Sequence, residues 1–337
     1  MMTVLDRHRR PLGTLRLSVT DRCNLRCVYC MPEDEYVWLP DESILSEGEL
    51  ERVARAFVAL GARAVRITGG EPLLRPELES IVARVARIEG VSDLALTTNG
   101  VLFAPRAEAL KRAGLGRVTF SIDTLRPERA RALSRTTRLG DVLPGLRTAR
   151  AAGFRGTKIN AVVMRGKNDD ELRDLVALAR ESDAEMRFIE YMDVGGATRW
   201  SARDVVSKGE ILAALGEPEP IHTGSPAPAA RYRMSDGTII GVVASTTAPF
   251  CASCDRSRVT ADGVLFGCLY GERGVDLRTP LRADANEADI AAIVREAWEA
   301  RDDRGAEHRR ALAERTAFVP LSRLRADPHR EMHTRGG

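Results

Sequence analysis

Lysine is nearly missing from this 337-residue chain. Only Lys111, Lys158, Lys167 and Lys208 occur, so almost all of the 51 basic residues are arginines. Such a skew reads as genome composition, and a single arginine carries weight only where its position singles it out. Aromatics make up 5% of the chain and there are five histidines. Charge of one sign is not in excess. Against 48 acidic residues the net charge is +3, which argues against a nucleic-acid partner. No apolar run approaches the ~20 residues that span a bilayer, and the basic stretch 1–10 leads into no apolar secretory segment. No membrane partner is expected, and the expected location is the cytoplasm. A G-x4-G-K-[ST] phosphate loop is absent. Disorder is excluded as well, because 44% of the residues are apolar.

What is present is an alternation of strands and helices. Stretches 12–19, 64–68, 93–97, 117–122, 158–163 and 186–191 are rich in apolar and β-branched residues and predict strands buried on both faces. Helices are predicted over 46–60, 76–88, 105–113, 141–152 and 169–182. Ser46 with Glu49 has the spacing of a capping box, and Gly61, Gly90, Gly114 and Gly153 stand where helix-ending glycines belong. The pattern predicts an α/β fold with a parallel sheet, doubly wound or curled toward a barrel. Sites in such folds form at the carboxyl ends of strands, here Thr20-Asp21, Thr68-Gly69-Gly70-Glu71, Thr97-Thr98-Asn99-Gly100 and Ser121-Ile122-Asp123. The periodicity breaks at the proline-rich stretch 217–230, which reads as a linker. A short β-rich patch, a helix over 287–301 and a polar tail free to fray complete the chain, giving two domains, 1–216 and 217–337.

Six cysteines fall into two triplets with none left over. Cys23, Cys27 and Cys30 make C-x3-C-x2-C, and Cys251, Cys254 and Cys268 make C-x2-C-x13-C. In a reducing compartment such thiols indicate metal or catalysis rather than disulfides. A structural zinc site closes with four ligands, whereas three thiolates on a four-iron cluster leave one iron open. The alternative by spacing is a zinc site on Cys27, Cys30, Cys251 and Cys254, which would leave Cys23 and Cys268 without a role. His329 and His333 are expected to have no metal role.

Cys23-Asn-Leu-Arg-Cys27-Val-Tyr-Cys30 resembles the cluster loop of the radical S-adenosylmethionine enzymes. Thr68-Gly69-Gly70-Glu71-Pro72 resembles that superfamily's GGEP element, which binds the methionine end of the cosubstrate. Leu15-Arg-Leu-Ser-Val-Thr-Asp-Arg-Cys23, Arg187-Phe-Ile-Glu190, Met192-Asp-Val-Gly195, the second triplet and Gly336-Gly337 narrow the resemblance to the GTP 3′,8-cyclase family, which opens molybdenum-cofactor synthesis. It runs from about residue 12 to residue 337.

The resemblance implies an incomplete TIM-type barrel of parallel βα units, with a C-terminal extension carrying a second Fe–S cluster. It implies two [4Fe-4S] clusters and S-adenosylmethionine as cofactors. The cluster on Cys23, Cys27 and Cys30 would bind S-adenosylmethionine and cleave it to a 5′-deoxyadenosyl radical, with contacts from Tyr29, Gly70, Ser121 and Met192. The cluster on Cys251, Cys254 and Cys268 would hold the purine of GTP while the radical removes the ribose 3′ hydrogen and the carbon radical attacks C8. Arg16, Arg66, Thr97, Lys158, Arg256, Ser257 and Arg258 would bind GTP, chiefly its triphosphate. Arg187 would act in the final radical step, and Gly336 and Gly337 would insert into the active site. Implied partners are GTP, an external electron donor and a downstream cyclic pyranopterin monophosphate synthase; a homodimer is compatible. Two departures stand out: residues 31–40 form a shorter segment than in some relatives, and Asp255 replaces an expected neutral residue. Two other readings are a superfamily enzyme with a different substrate, such as a peptide, and a zinc-stabilised binding module.

Overall fold

Alternation, rather than continuous apolarity, builds the strands. The computed structural model describes residues 3–222, 224 and 226–336. The first half of the sheet is β1 (Thr14–Ser18), β2 (Ala64–Thr68), β3 (Asp93–Thr98), β4 (Arg117–Ser121), β5 (Lys158–Val163) and β6 (Glu185–Glu190). β7 (Glu219–Ile221), β8 (Ala230–Arg233), β9 (Ile239–Val243), β10 (Arg256–Val259), β11 (Val264–Phe266) and β12 (Val275–Asp276) follow. In β1 Leu15 and Leu17 are fully buried while Arg16 is partly open, and β2, β4, β5 and β6 repeat this pattern. One face therefore packs on helices and the other lines a cavity. This corrects the expectation of strands buried on both faces.

The order is β12-β11-β10-β1-β2-β3-β4-β5-β6-β9-β8-β7. From β10 through β6 to β9 every pairing is parallel, so the segment after residue 216 supplies a strand to each side of the first six. Antiparallel β11–β12 and β8–β7 extend the two edges. The end strands do not pair with each other, so the barrel is incomplete, as expected. Pro220 sits in edge strand β7, where a missing N–H costs no ladder bond, so part of the expected linker is strand.

The outer layer holds α1 (Glu47–Ala59), α2 (Leu78–Ala86), α3 (Ala107–Arg112), α4 (Pro127–Ser134), α5 (Leu139–Ala151), α6 (Leu172–Glu181) and α7 (Lys208–Ala214). α8 (Arg278–Arg282), α9 (Glu287–Glu299), α10 (Gly305–Arg310) and α11 (Leu321–Ala326) follow. The capping box of α1 is formed, with Ser46 accepting from the Glu49 N–H and Glu49 accepting from the Ser46 N–H at 2.7 Å. Gly61, Gly90, Gly114 and Gly153 follow helices at positive φ, as their positions predict. α1 buries Leu50, Val53 and Phe57 against the sheet and packs beside α9. Residues 303–336 do not fray. α10 and α11 form, and 327–336 turn back toward the barrel interior, where His333 and Thr334 are buried.

Candidate active site

A cavity of about 720 Å³ runs along the inner face of the sheet and is lined by all six cysteines. The first trio follows the carboxyl end of β1. The second lies at the other end of the strands, because Cys254 precedes β10 and Arg256 pairs in parallel with Thr14 at the start of β1. The four thiols of the zinc alternative are therefore not brought together.

Around the first trio the loop is fixed by backbone contacts. The Cys30 and Met31 N–H groups donate to the Cys27 carbonyl at 3.0 and 2.7 Å. The glycines after β2 make room for this loop. A Cβ on Gly70 would lie 2.2 Å from the Arg22 carbonyl oxygen, and one on Gly69 would lie 2.3 Å from that of Thr20. Gly70 thus admits the cysteine loop's own backbone, a cause the sequence did not suggest. Glu71 is buried and accepts from Thr98 Oγ1 at 2.8 Å and from the Asn99 N–H at 2.7 Å. Tyr29 donates to Asp123 Oδ2 at 2.7 Å, while Asp123 Oδ1 accepts from the Val162 N–H at 2.9 Å. Ser121 and Met192 line the same end. The loop after β6 is braced by Asp193, fully buried, which accepts from Tyr270 at 3.0 Å and from Arg309 and Arg315 at 2.7 Å. Glu190 caps the 246–247 turn by accepting from the N–H groups of Thr246 and Thr247.

The second trio sits among arginines. Arg256 Nη2 and Arg301 Nη2 donate to Cys254 Sγ at 3.3 and 3.5 Å. Burial would raise that thiol, but these two charges outweigh it and hold it at about 7. Burial pushes Cys23 and Cys27 up to about 11 and about 12. All six cysteines are free of disulfides. Among the described residues no three such side chains meet as a preformed metal centre. The donor chemistry nonetheless fits an anionic cluster, with three thiols in each set and guanidinium groups facing one sulfur.

Between the trios the wall is cationic. Arg16, Arg66, Lys158, Arg187, Arg256 and Arg258 line the cavity, as does Thr97. Burial first, and then the charges of Arg258, Arg256 and Arg66, push the Arg16 guanidinium well below its usual range. Arg256 Nε is buried with no hydrogen-bond partner among the described residues. Such crowding, with a donor left over, suits a polyanion. Ser257 departs from the expectation. Strand alternation turns its hydroxyl away from the cavity, where it donates to the Thr14 carbonyl at 3.1 Å. Gly336 is brought to this wall: Arg16 Nε and Nη2 donate to its carbonyl at 2.8 and 2.6 Å and Arg258 Nη1 at 3.2 Å. Gly337 lies outside the described residues. Asp255 accepts from Thr14 Oγ1 at 3.1 Å, in a space left by Gly13. Sequence reasoning missed Arg117 and Asp93, both in the lining.

Two family models match the chain: the radical SAM superfamily over residues 17–179 and Molybdenum Cofactor Synthesis C over residues 184–307. A relative from Mycobacterium tuberculosis, GTP 3′,8-cyclase 1, is 54% identical over 99% of this chain and 95% of its own length. The chain belongs to the GTP 3′,8-cyclase family. Members from Acidothermus cellulolyticus and Aquifex aeolicus are 46% and 42% identical, over 89% and 92% of the chain and 87% and 96% of their own lengths. As a superfamily enzyme the family uses S-adenosylmethionine and a [4Fe-4S] cluster. The fold is also shared with Streptococcus suis SuiB, solved with S-adenosylmethionine, at a TM-score of 0.56 and 16% identity over 85% of this chain and 69% of that one. Among the described residues no helix is long and apolar enough to cross a membrane.

Proposed function

We propose that this chain converts GTP to (8S)-3′,8-cyclo-7,8-dihydroguanosine 5′-triphosphate, the first step of molybdenum-cofactor biosynthesis, with one cluster on each cysteine trio. The observation that carries the reading is that both trios and seven arginine and lysine side chains, Arg117 among them, open into one cavity. When bound, a reduced [4Fe-4S] cluster with S-adenosylmethionine supplies the radical that abstracts hydrogen.

The chain's own residues bind and orient. Cys23, Cys27 and Cys30 would hold the first cluster, with Tyr29, Gly70, Ser121 and Met192 placing S-adenosylmethionine over it. Cys251, Cys254 and Cys268 would hold the second, beside which the purine would sit. Arg16, Arg66, Lys158, Arg256 and Arg258 would hold the triphosphate by charge-assisted bonds, with Thr97 as a hydroxyl partner. Reactants fixed from both ends of a barrel are held in attack geometry. Arg187, braced by Glu185 at 2.7 Å, and the tail at Gly336 lie where they could serve the later steps. An outside electron donor and a downstream enzyme that uses the product complete the scheme.

The test is anaerobic. Purified holoenzyme should contain about eight irons per chain and no zinc. With GTP, S-adenosylmethionine and a strong reductant it should yield cyclised nucleotide together with 5′-deoxyadenosine. Cleavage of the cosubstrate without a GTP product would point to another substrate, and zinc without iron would end the proposal.

A further inference from the structure

Strand register places one more arginine in the cationic wall. Arg258 of β10 pairs with Arg16 of β1, Arg16 with Arg66 of β2, Arg66 with Ala95 of β3, and Ala95 with Arg117 of β4. Residues paired in this way share a level and a face, so four guanidinium groups form an arc at one height with alanine as its only gap. Arg117 lines the cavity as its neighbours do. Its Nε and Nη2 donate to Asp93 Oδ1 at 2.9 and 2.7 Å, which leaves Nη1 without a hydrogen-bond partner among the described residues. Asp93 also pairs with Arg66, so one carboxylate fixes the two guanidiniums on either side of the gap. Burial alone would raise Asp93, but Arg117 and Arg66 hold it at about 2, so the brace is charged at any working pH.

We propose that Arg117 binds the terminal phosphate of the nucleotide and that Asp93 is the positioning residue that aims Arg117 and Arg66 at it. The assignment rests on the reading of the cavity as a GTP site. The second cysteine trio, where the purine would sit, lies beside β10 at one end of the arc. Arg117 on β4 closes the other end, four strand spacings away, about 19 Å along the sheet and less across its curve. The group farthest from the purine is the last phosphate. A site so built distinguishes a nucleoside triphosphate from a diphosphate, because the diphosphate leaves Arg117 facing no anion.

The experiment measures equilibrium binding of GTP and of GDP to anaerobic holoenzyme, in the unmodified protein, Arg117→Gln and Arg117→Lys. Unmodified protein should prefer GTP. Arg117→Gln should weaken GTP binding about ten- to hundredfold and GDP binding by no more than about twofold. Arg117→Lys, which keeps the charge but loses the fork, should restore part of the preference. Iron content and S-adenosylmethionine binding report folding in each variant. If Arg117→Gln fails to load iron, the lysine variant decides through its reduced GTP-to-GDP ratio. Equal weakening of both nucleotides, or an unchanged ratio in a folded variant, overturns the assignment of Arg117 alone. Absence of GTP binding and of cyclised product in the unmodified protein overturns the underlying reading as well.

Discussion

Lys158 offers a pH test of the triphosphate site. Burial, and then the charges of Arg187 and Arg117, push its ammonium from 10.5 down to about 7. A lysine of that pKa is charged in about one molecule in ten at pH 8 and in about nine of ten at pH 6. If the triphosphate needs the charged form, binding takes up a proton above pH 7. Each further pH unit then costs up to about 1.4 kcal/mol of affinity. Because the side chain is only half-buried, the expected loss is smaller, about tenfold in Kd between pH 7 and 8.5. GTP binding to anaerobic holoenzyme should be measured across this range in the unmodified protein and in Lys158→Arg. Arginine stays charged throughout, so subtracting the two profiles removes the titration of GTP itself. Superimposable profiles would refute the assignment of Lys158 to the phosphates. The free protein gives a second readout. The unfolded chain binds more protons than the folded one between about pH 7 and 10.5, so this residue's penalty is complete below pH 7 and fades as pH rises toward 10.5. Lys158→Met should therefore raise the Tm of nucleotide-free protein most at or below neutrality.

Three other perturbations separate the parts of the site. Replacing Cys251, Cys254 and Cys268 together by alanine should remove about four of the eight irons, keep cleavage of S-adenosylmethionine and abolish cyclisation; iron analysis and product chromatography read the outcome. Gly70→Ala places a Cβ 2.2 Å from the Arg22 carbonyl, so the first cysteine loop must shift, with a loss of about 2 kcal/mol or more and selective loss of first-site iron. Asp193→Asn removes the charge that partners Arg309 and Arg315 and should lower stability by about 2–4 kcal/mol in denaturant unfolding; an unchanged midpoint would show that the buried cluster contributes little.

The parallel sheet was legible because six apolar, β-branched stretches alternate with helices and four of them run into polar or glycine-bearing ends, and because α1 announces itself through Ser46 and Glu49. β10 was not legible. Arg-Ser-Arg-Val looks like loop, since two of its four residues are charged, yet those arginines are the inward half of a period-2 pattern whose outward half is Ser257 and Val259. The same alternation misplaced Ser257: adjacency to Arg256 and Arg258 suggested a shared site, whereas neighbours on a strand face opposite ways. Arg117 and Asp93 were hidden for another reason. Each opens a strand, and only the lateral register shows that they meet Arg66. The tail looked free because it is polar. Its ordering comes from distant partners, such as Asp262 for His329 at 2.8 Å and the Leu269 carbonyl for Arg335 at 2.8 Å.

The β1–β10 ladder acts as a ruler for the whole enzyme. β1 runs toward the first sulfur set and β10 starts from the second, so the offset between these two short segments fixes how far apart the two sets stand. A slip by two residues would preserve every facing direction yet shift one set against the other by about 7 Å. On this side of the barrel the early and late portions of the polypeptide are aligned by four rungs, Thr14 to Leu17 against Arg256 to Val259, as β6 and β9 align them on the other, and neither portion made alone would carry that measurement.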